Sequence, residues 1–189
     1  TGCGASELIF GRDKILSKKK LLKFARCPAI INLNKPVFPL ILKFNNEDGS
    51  YGIFKKNVCT NNKELISRLN FLKDRYEGEI YAEEFVSGTE AYVAVLKDID
   101  GVTKVFPPRV LNYPLSKTPE EEIYSQSAKW SESYQSKREI KTVEMRDEIL
   151  AGKLKRLAKE IYEIYDKSIN KKYDVTTNKN VITRIKNSF

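Results

Sequence analysis

The chain has 189 residues, 41% of them hydrophobic and 31% charged, which suits one compact domain or two small lobes and excludes collagen-like, mucin-like and wholly disordered classes. It contains no histidine, so Ser-His and Cys-His nucleophile pairs, imidazole bases and His-rich zinc sites are excluded. The net charge of +9 is spread unevenly, as +7 over residues 1–60, −4 over 61–124 and +6 over 125–189, an arrangement suited to gripping a polyanion such as a nucleotide or a nucleic acid.

Three scattered cysteines, Cys3, Cys27 and Cys59, form no C-x-x-C pair, which argues against a disulfide framework and points to a reducing, cytoplasmic compartment. No apolar run approaches the roughly 18 residues of a membrane span. The chain opens at Thr1 with no charged-then-apolar leader and reads as a piece of something longer.

Asp13 to Ala25 is expected to form an amphipathic helix on Ile15, Leu16, Leu21, Leu22 and Ala25, with Lys18-Lys19-Lys20 as a solvated face. Pro28 ends it, Ala29 to Leu33 reads as a short strand, and Pro39 to Lys43 as an apolar strand ending on a lysine. Asn45 to Gly52 is dense in turn formers, and Ile53 to Val58 resumes strand character. Asn61 can cap a helix striped by Leu65, Ile66, Leu69 and Leu72, followed by a strand from Glu79 to Val86 and a turn at Ser87-Gly88. Ala91, Val93 and Val95 alternate with Tyr92, Ala94 and Leu96 in a strand covered on both faces, and Asp100-Gly101 turns the chain into Val102 to Phe106. Residues 112–142 read as a long polar loop, Met145 to Ile164 as the longest helix, and Lys172 to Val175 with Val181 to Ile185 as a last hairpin. Antiparallel strands with three helices make an α+β fold.

Taken together, Pro39-Leu-Ile-Leu-Lys43, the loop Asn45 to Gly52, and Tyr81-Ala-Glu-Glu-Phe-Val-Ser-Gly-Thr-Glu90 resemble, in this order and separation, the ATP-grasp family in its D-alanine:D-alanine ligase-like branch. Arg12-Asp13-Lys14 with Lys18, and Ala128-Lys129-Trp130, are similar to that family as well. The resemblance implies two α+β lobes whose antiparallel sheets enclose a nucleotide cleft. It divides the chain into an N-terminal helix and strand (1–38), a small ATP-binding lobe with a phosphate-covering loop (39–88) and a C-terminal catalytic-type lobe (89–189). By the same resemblance, Lys14 and Lys43 would hold phosphates as compact point charges, and Gly49, Ser50 and Gly52 would belong to a mobile lid over them. Glu83 would accept from the adenine amino group, Phe85 and Val86 would line the adenine slot, and Glu90 would bind the ribose. Lys129, with Lys172, would serve the reaction itself, an ATP-dependent joining of a carboxylate to an amine through an acyl phosphate.

In that family the last hairpin also carries an acidic and an amide ligand for Mg2+. Here Asp174 is the one expected metal ligand, and Arg184 and Lys186 fall where the Glu and Asn would stand. Cations in those places repel a metal at close range, so impaired catalysis is expected. The resemblance includes no counterpart of the family's N-terminal lobe, which leaves a missing N-terminal domain or a homo-oligomer as expected partners, besides an adenine nucleotide and a small carboxylate or amino-acid substrate. The alternative is a degenerate fold serving as a structural or RNA-binding subunit, since basic ends and interleaved aromatics suit RNA although no RNP, KH or helix-turn-helix signature is present.

Overall fold

The computed structural model describes residues 9, 11–23, 25–169 and 178–185. Helix α1 (Lys14–Leu21) starts on Asp13, whose carboxylate accepts from the Leu16 N–H at 2.8 Å. It ends four residues before the expected Ala25, with the Ala25 N–H closing one more turn on the Leu21 carbonyl.

The first sheet has the order β1-β4-β2-β3, all antiparallel, from β1 (Ile30–Ile31), β2 (Leu40–Phe44), β3 (Val58–Cys59) and β4 (Ile80–Glu84). Helix α2 (Asn62–Arg75) covers one face of it. Asn61 accepts from the Glu64 N–H at 3.0 Å while Glu64 reaches back to the Thr60 N–H at 2.7 Å, a reciprocal cap. Leu65 and Leu72 bury against Leu40, Leu42, Phe44, Cys59 and Ala82, whereas Ile66, counted in the expected stripe, is exposed. The even-numbered residues of β2 therefore face α2, and Ile41 and Lys43 face the other way.

The expected strand Ile53 to Val58 is instead a 3-10 turn at Lys55–Asn57 followed by the two residues of β3. Asn57 explains the difference. Fully buried, it donates from its amide to the Leu42 carbonyl at 2.9 Å and the Gly52 carbonyl at 2.8 Å, taking the place of ladder bonds.

The second sheet is built on β5 (Thr89–Lys97). Along one side of β5 run β6 (Thr103–Val105) and β7 (Arg109–Asn112), with β8 (Lys141–Glu144) beyond β7, and along the other side runs β9 (Asn178–Ile185). Ala91, Val93 and Val95 pack under Leu154, Ala158 and Tyr162 of the longest helix, which spans Glu148–Ile169.

Residues 112–142 are more ordered than a loop. They hold a 3-10 turn at Pro119–Glu122, helix α3 (Gln126–Trp130), helix α4 (Glu132–Arg138) and the start of β8; the long helix is thus α5. Ser125 and Ser131 cap the two short helices, each accepting at 3.3 Å. Helices this short carry too few apolar positions for a period to show in the sequence. Of the expected last hairpin, the second arm is β9, and Lys172 to Val175 lies outside the described residues. Among the described residues no helix is long and apolar enough to cross a membrane.

Candidate functional site

The face of the first sheet turned away from α2 carries Lys43 on β2 with Tyr81 and Glu83 on β4, and Lys43 pairs in register with Tyr81. Glu83 is 4% exposed, yet charged partners meet it on both oxygens. Lys43 Nζ donates to Oε1, and Lys18 Nζ, from the last turn of α1, lies 2.7 Å from Oε2. Tyr81 Oη donates to Oε2 at 3.1 Å. Burial alone would raise the Glu83 carboxyl; the Lys43 and Lys18 ammoniums outweigh it and hold the group below the ordinary carboxylate range. Tyr81, buried beside the anion, is pushed up.

Lys18 thus corrects the reading of Lys18-Lys19-Lys20 as a solvated face, since its side chain is 14% exposed and also donates to the Pro28 carbonyl at 3.1 Å. The sequence held a signal for it, because Lys14 and Lys18 are four residues apart on one helix face. Tyr81 was equally legible as the residue two before Glu83 on one strand face.

Lys14 is turned to the end of β2, where its Nζ donates to the Phe44 carbonyl at 3.1 Å, the Asn45 carbonyl at 2.9 Å and the Glu47 carbonyl. Burial lowers its pKa from the ordinary 10.5, and Lys43 adds to that effect while Asp48 and Glu47 oppose it. Asn45 reinforces this corner by accepting from the Ile15 N–H at 3.0 Å and donating to Glu79 at 2.8 Å.

The loop beyond Asn45 runs through three residues of positive φ, Gly49 (+68°), Ser50 (+63°) and Gly52 (+63°). At Gly52 a Cβ would fall 2.5 Å from the ring of buried Phe44, so glycine is required there by space as well as by φ. The loop is fastened to the segment after the second 3-10 turn. Ser50 Oγ donates to the Tyr124 carbonyl at 2.7 Å, and Trp130 Nε1 donates to the Gly49 carbonyl at 2.7 Å. Neither contact was readable from the sequence, since each partner lies more than 70 residues away in a polar stretch.

That segment lies between the two sheets. Ile123 buries against Ile41, Val58 and Phe85 of the small lobe, and its neighbour Tyr124 meets Tyr92 of β5 edge-on at 6.3 Å. Phe85 is 7% exposed within this cluster, and Val86 after it is half-buried. Glu90 accepts from Tyr92 Oη, and burial followed by the Glu90 charge raises both the Tyr92 and the Tyr124 phenols. Lys129 Nζ stands 5.9 Å from the Tyr124 ring centre and 5.7 Å from that of Trp130, within cation–π range. In β9, Arg184 is the register partner of Glu90. Lys172, Asp174 and Lys186 lie outside the described residues. Among the described residues no group of three or more acidic or cysteine side chains is placed to hold a metal ion.

No family model and no curated protein sequence matches the chain. Solved structures do. The D-alanyl-alanine synthetase A of Vibrio cholerae superposes with a TM-score of 0.67 at 16% identity, over 99% of this chain and 55% of that one. The VanG D-Ala:D-Ser ligase of Enterococcus faecalis gives 0.61 at 16% identity over 93% and 49%. The Bacillus anthracis D-alanine–D-alanine ligase, solved with ATP, gives 0.57 at 17% identity over 93% and 51%. The chain therefore has the ATP-grasp, D-alanine:D-alanine ligase-like fold, α+β with two antiparallel sheets, and it spans about half the length of these structures.

Proposed function

We propose that the chain binds ATP in the cleft between its two sheets, with Lys43 as the principal phosphate ligand and the loop 45–52 lying over the phosphates. The observation that carries this reading is the buried Glu83 carboxylate shared by Lys18 and Lys43. Two ammoniums on one carboxylate leave a positive charge that an anion would neutralise, at the end of a strand and beside a glycine-bearing loop. Neighbours of the same fold were solved with ATP or with ADP, which supports an adenine nucleotide as the ligand.

The wider reading is a ligase-like protein whose ancestral chemistry joins a carboxylate to an amine through an acyl phosphate. Arg184 and Lys186 at the expected metal positions make it impaired in that reaction. Lys129, Lys172, Glu90 and Asp174 keep the roles that the resemblance gives them within this proposal, as do the adenine-slot residues Phe85 and Val86.

The test is thermal stabilisation by millimolar ATP, measured together with phosphate release in the presence of magnesium and D-alanine. ATP is expected to raise the melting temperature of the unmodified chain, Lys43→Ala is expected to abolish that rise, and phosphate release should stay near background. An unchanged melting temperature with ATP would remove the nucleotide reading, and robust release would remove the impairment.

A further inference from the structure

Resting on that reading of the cleft, we infer that Lys14 is a positioning residue of the nucleotide site and not a phosphate ligand. It clamps the backbone at the root of the loop 45–52, which fixes how that loop leaves β2 beside Lys43 and lies over the phosphates.

A lysine ammonium has three N–H donors and no acceptor. Those of Lys14 are spent on the carbonyls of Phe44 at 3.1 Å, Asn45 at 2.9 Å and Glu47. A phosphate contact would have to break at least one of these charge-assisted bonds and uncover a carbonyl in a half-buried corner. The corner cannot follow the ammonium outward. The Asn45 side chain, in a residue 3% exposed, accepts from the Ile15 N–H at 3.0 Å and donates to Glu79 at 2.8 Å, so it is pinned from two elements.

Arg12 supplies an independent observation. From the turn leading into α1 it donates Nε at 3.2 Å and a terminal guanidinium nitrogen at 2.9 Å to the Asn46 carbonyl, the one that Lys14 passes over. Four consecutive carbonyls, Phe44 to Glu47, are thus all taken by two cations of one segment. One turn further along α1, Lys18 reaches Glu83, which Lys43 also meets. The same helix therefore braces both the loop and the lysine beneath it.

The experiment compares Lys14→Met, which removes all three donors, with Lys14→Arg, which keeps the charge but spreads its donors over a flat fork that cannot converge on three carbonyls. Amide exchange at Asn45 and Tyr51, bonded to the Glu79 and Asp48 carbonyls, is followed without nucleotide, and ATP is titrated by calorimetry well below each melting temperature. Both variants are expected to speed exchange about tenfold and to weaken ATP about tenfold, with Arg no better than Met. Parent-like ATP affinity in Lys14→Arg with loss in Lys14→Met would make Lys14 a phosphate ligand and overturn the inference. Parent-like exchange in both would overturn it, and so would faster exchange with unchanged ATP affinity, since Lys14 would then serve stability alone. Should Lys14→Met not fold, Arg12→Ala, at a side chain 54% exposed, takes its place; it is expected to speed exchange about twofold, and a parent-like rate would overturn the clamp. Failure of the unmodified protein to bind ATP would remove the nucleotide reading, and the exchange measurement would then decide alone whether Lys14 holds the loop.

Discussion

Glu83 brings a negative charge to a place where a lone carboxylate would be neutral, and the two lysines decide its state. Its carboxyl is held below the ordinary 4.5 in the folded chain. The stabilisation from this depressed group is therefore fully present above about pH 4.5 and is lost as the pH falls through the lower folded value. Glu83→Gln keeps the shape, removes the charge and strands Lys18 and Lys43, and is expected to cost about 3–5 kcal/mol at neutral pH. Urea midpoints measured from pH 7 down to pH 3 should show the two proteins converging in the acid range. Parallel curves would mean that the cluster does not contribute as an ion pair. Cys59 is a contrasting case, since burial and then the Glu64 charge push its thiol up to about 11, so it acts as a small apolar side chain in the core beneath α2.

The elements that bury a whole stripe were legible in the sequence, and those that exist through single side chains were not. Strand β2, helix α2 and helix α5 declare themselves by an apolar run, by a capping asparagine or by a long apolar period. The turn at Lys55–Asn57 depends on one buried amide, which Arg68 fixes in turn by donating from Nε to Asn57 Oδ1 at 2.8 Å while lying between the rings of Phe54 and Phe71. Within the site, the lysine closing β2 and the run from Glu83 to Glu90 stood out by order and spacing. Ile123 did not, because one isoleucine between a run of glutamates and a tyrosine has no period to reveal which face it buries. The loop 45–52 was expected to be a mobile lid, and the structure ties its Gly49 and Ser50 to residues that pattern cannot link to it. Trp130→Phe removes the indole N–H that holds the Gly49 carbonyl, and since this indole is largely exposed, amide exchange over residues 48–52 should speed up only about two- to fivefold. Exchange as slow as in the parent would show that the indole hydrogen bond does not anchor the loop.

Across the molecule, the two sheets meet through a stretch that belongs by chain order to the second and by packing to the first. The Gln126 N–H donates to the Ile53 carbonyl at 3.1 Å, Lys55 pairs with Glu121 at 3.4 Å, and Ile123 completes the apolar cluster on the outer face of β2 and β4. A fragment ending at residue 112 would leave Ile41, Val58 and Phe85 open to water, whereas one ending at residue 131 would carry its own cover. The shorter fragment is expected to bind a hydrophobic dye strongly and the longer one weakly; equal dye binding would show that the cluster closes without Ile123. Seen in the order of synthesis, the small lobe emerges from the ribosome with one finished side and one adhesive side. It stays adhesive through some forty further residues, a window in which chaperone capture of the nascent chain competes with the arrival of its own isoleucine.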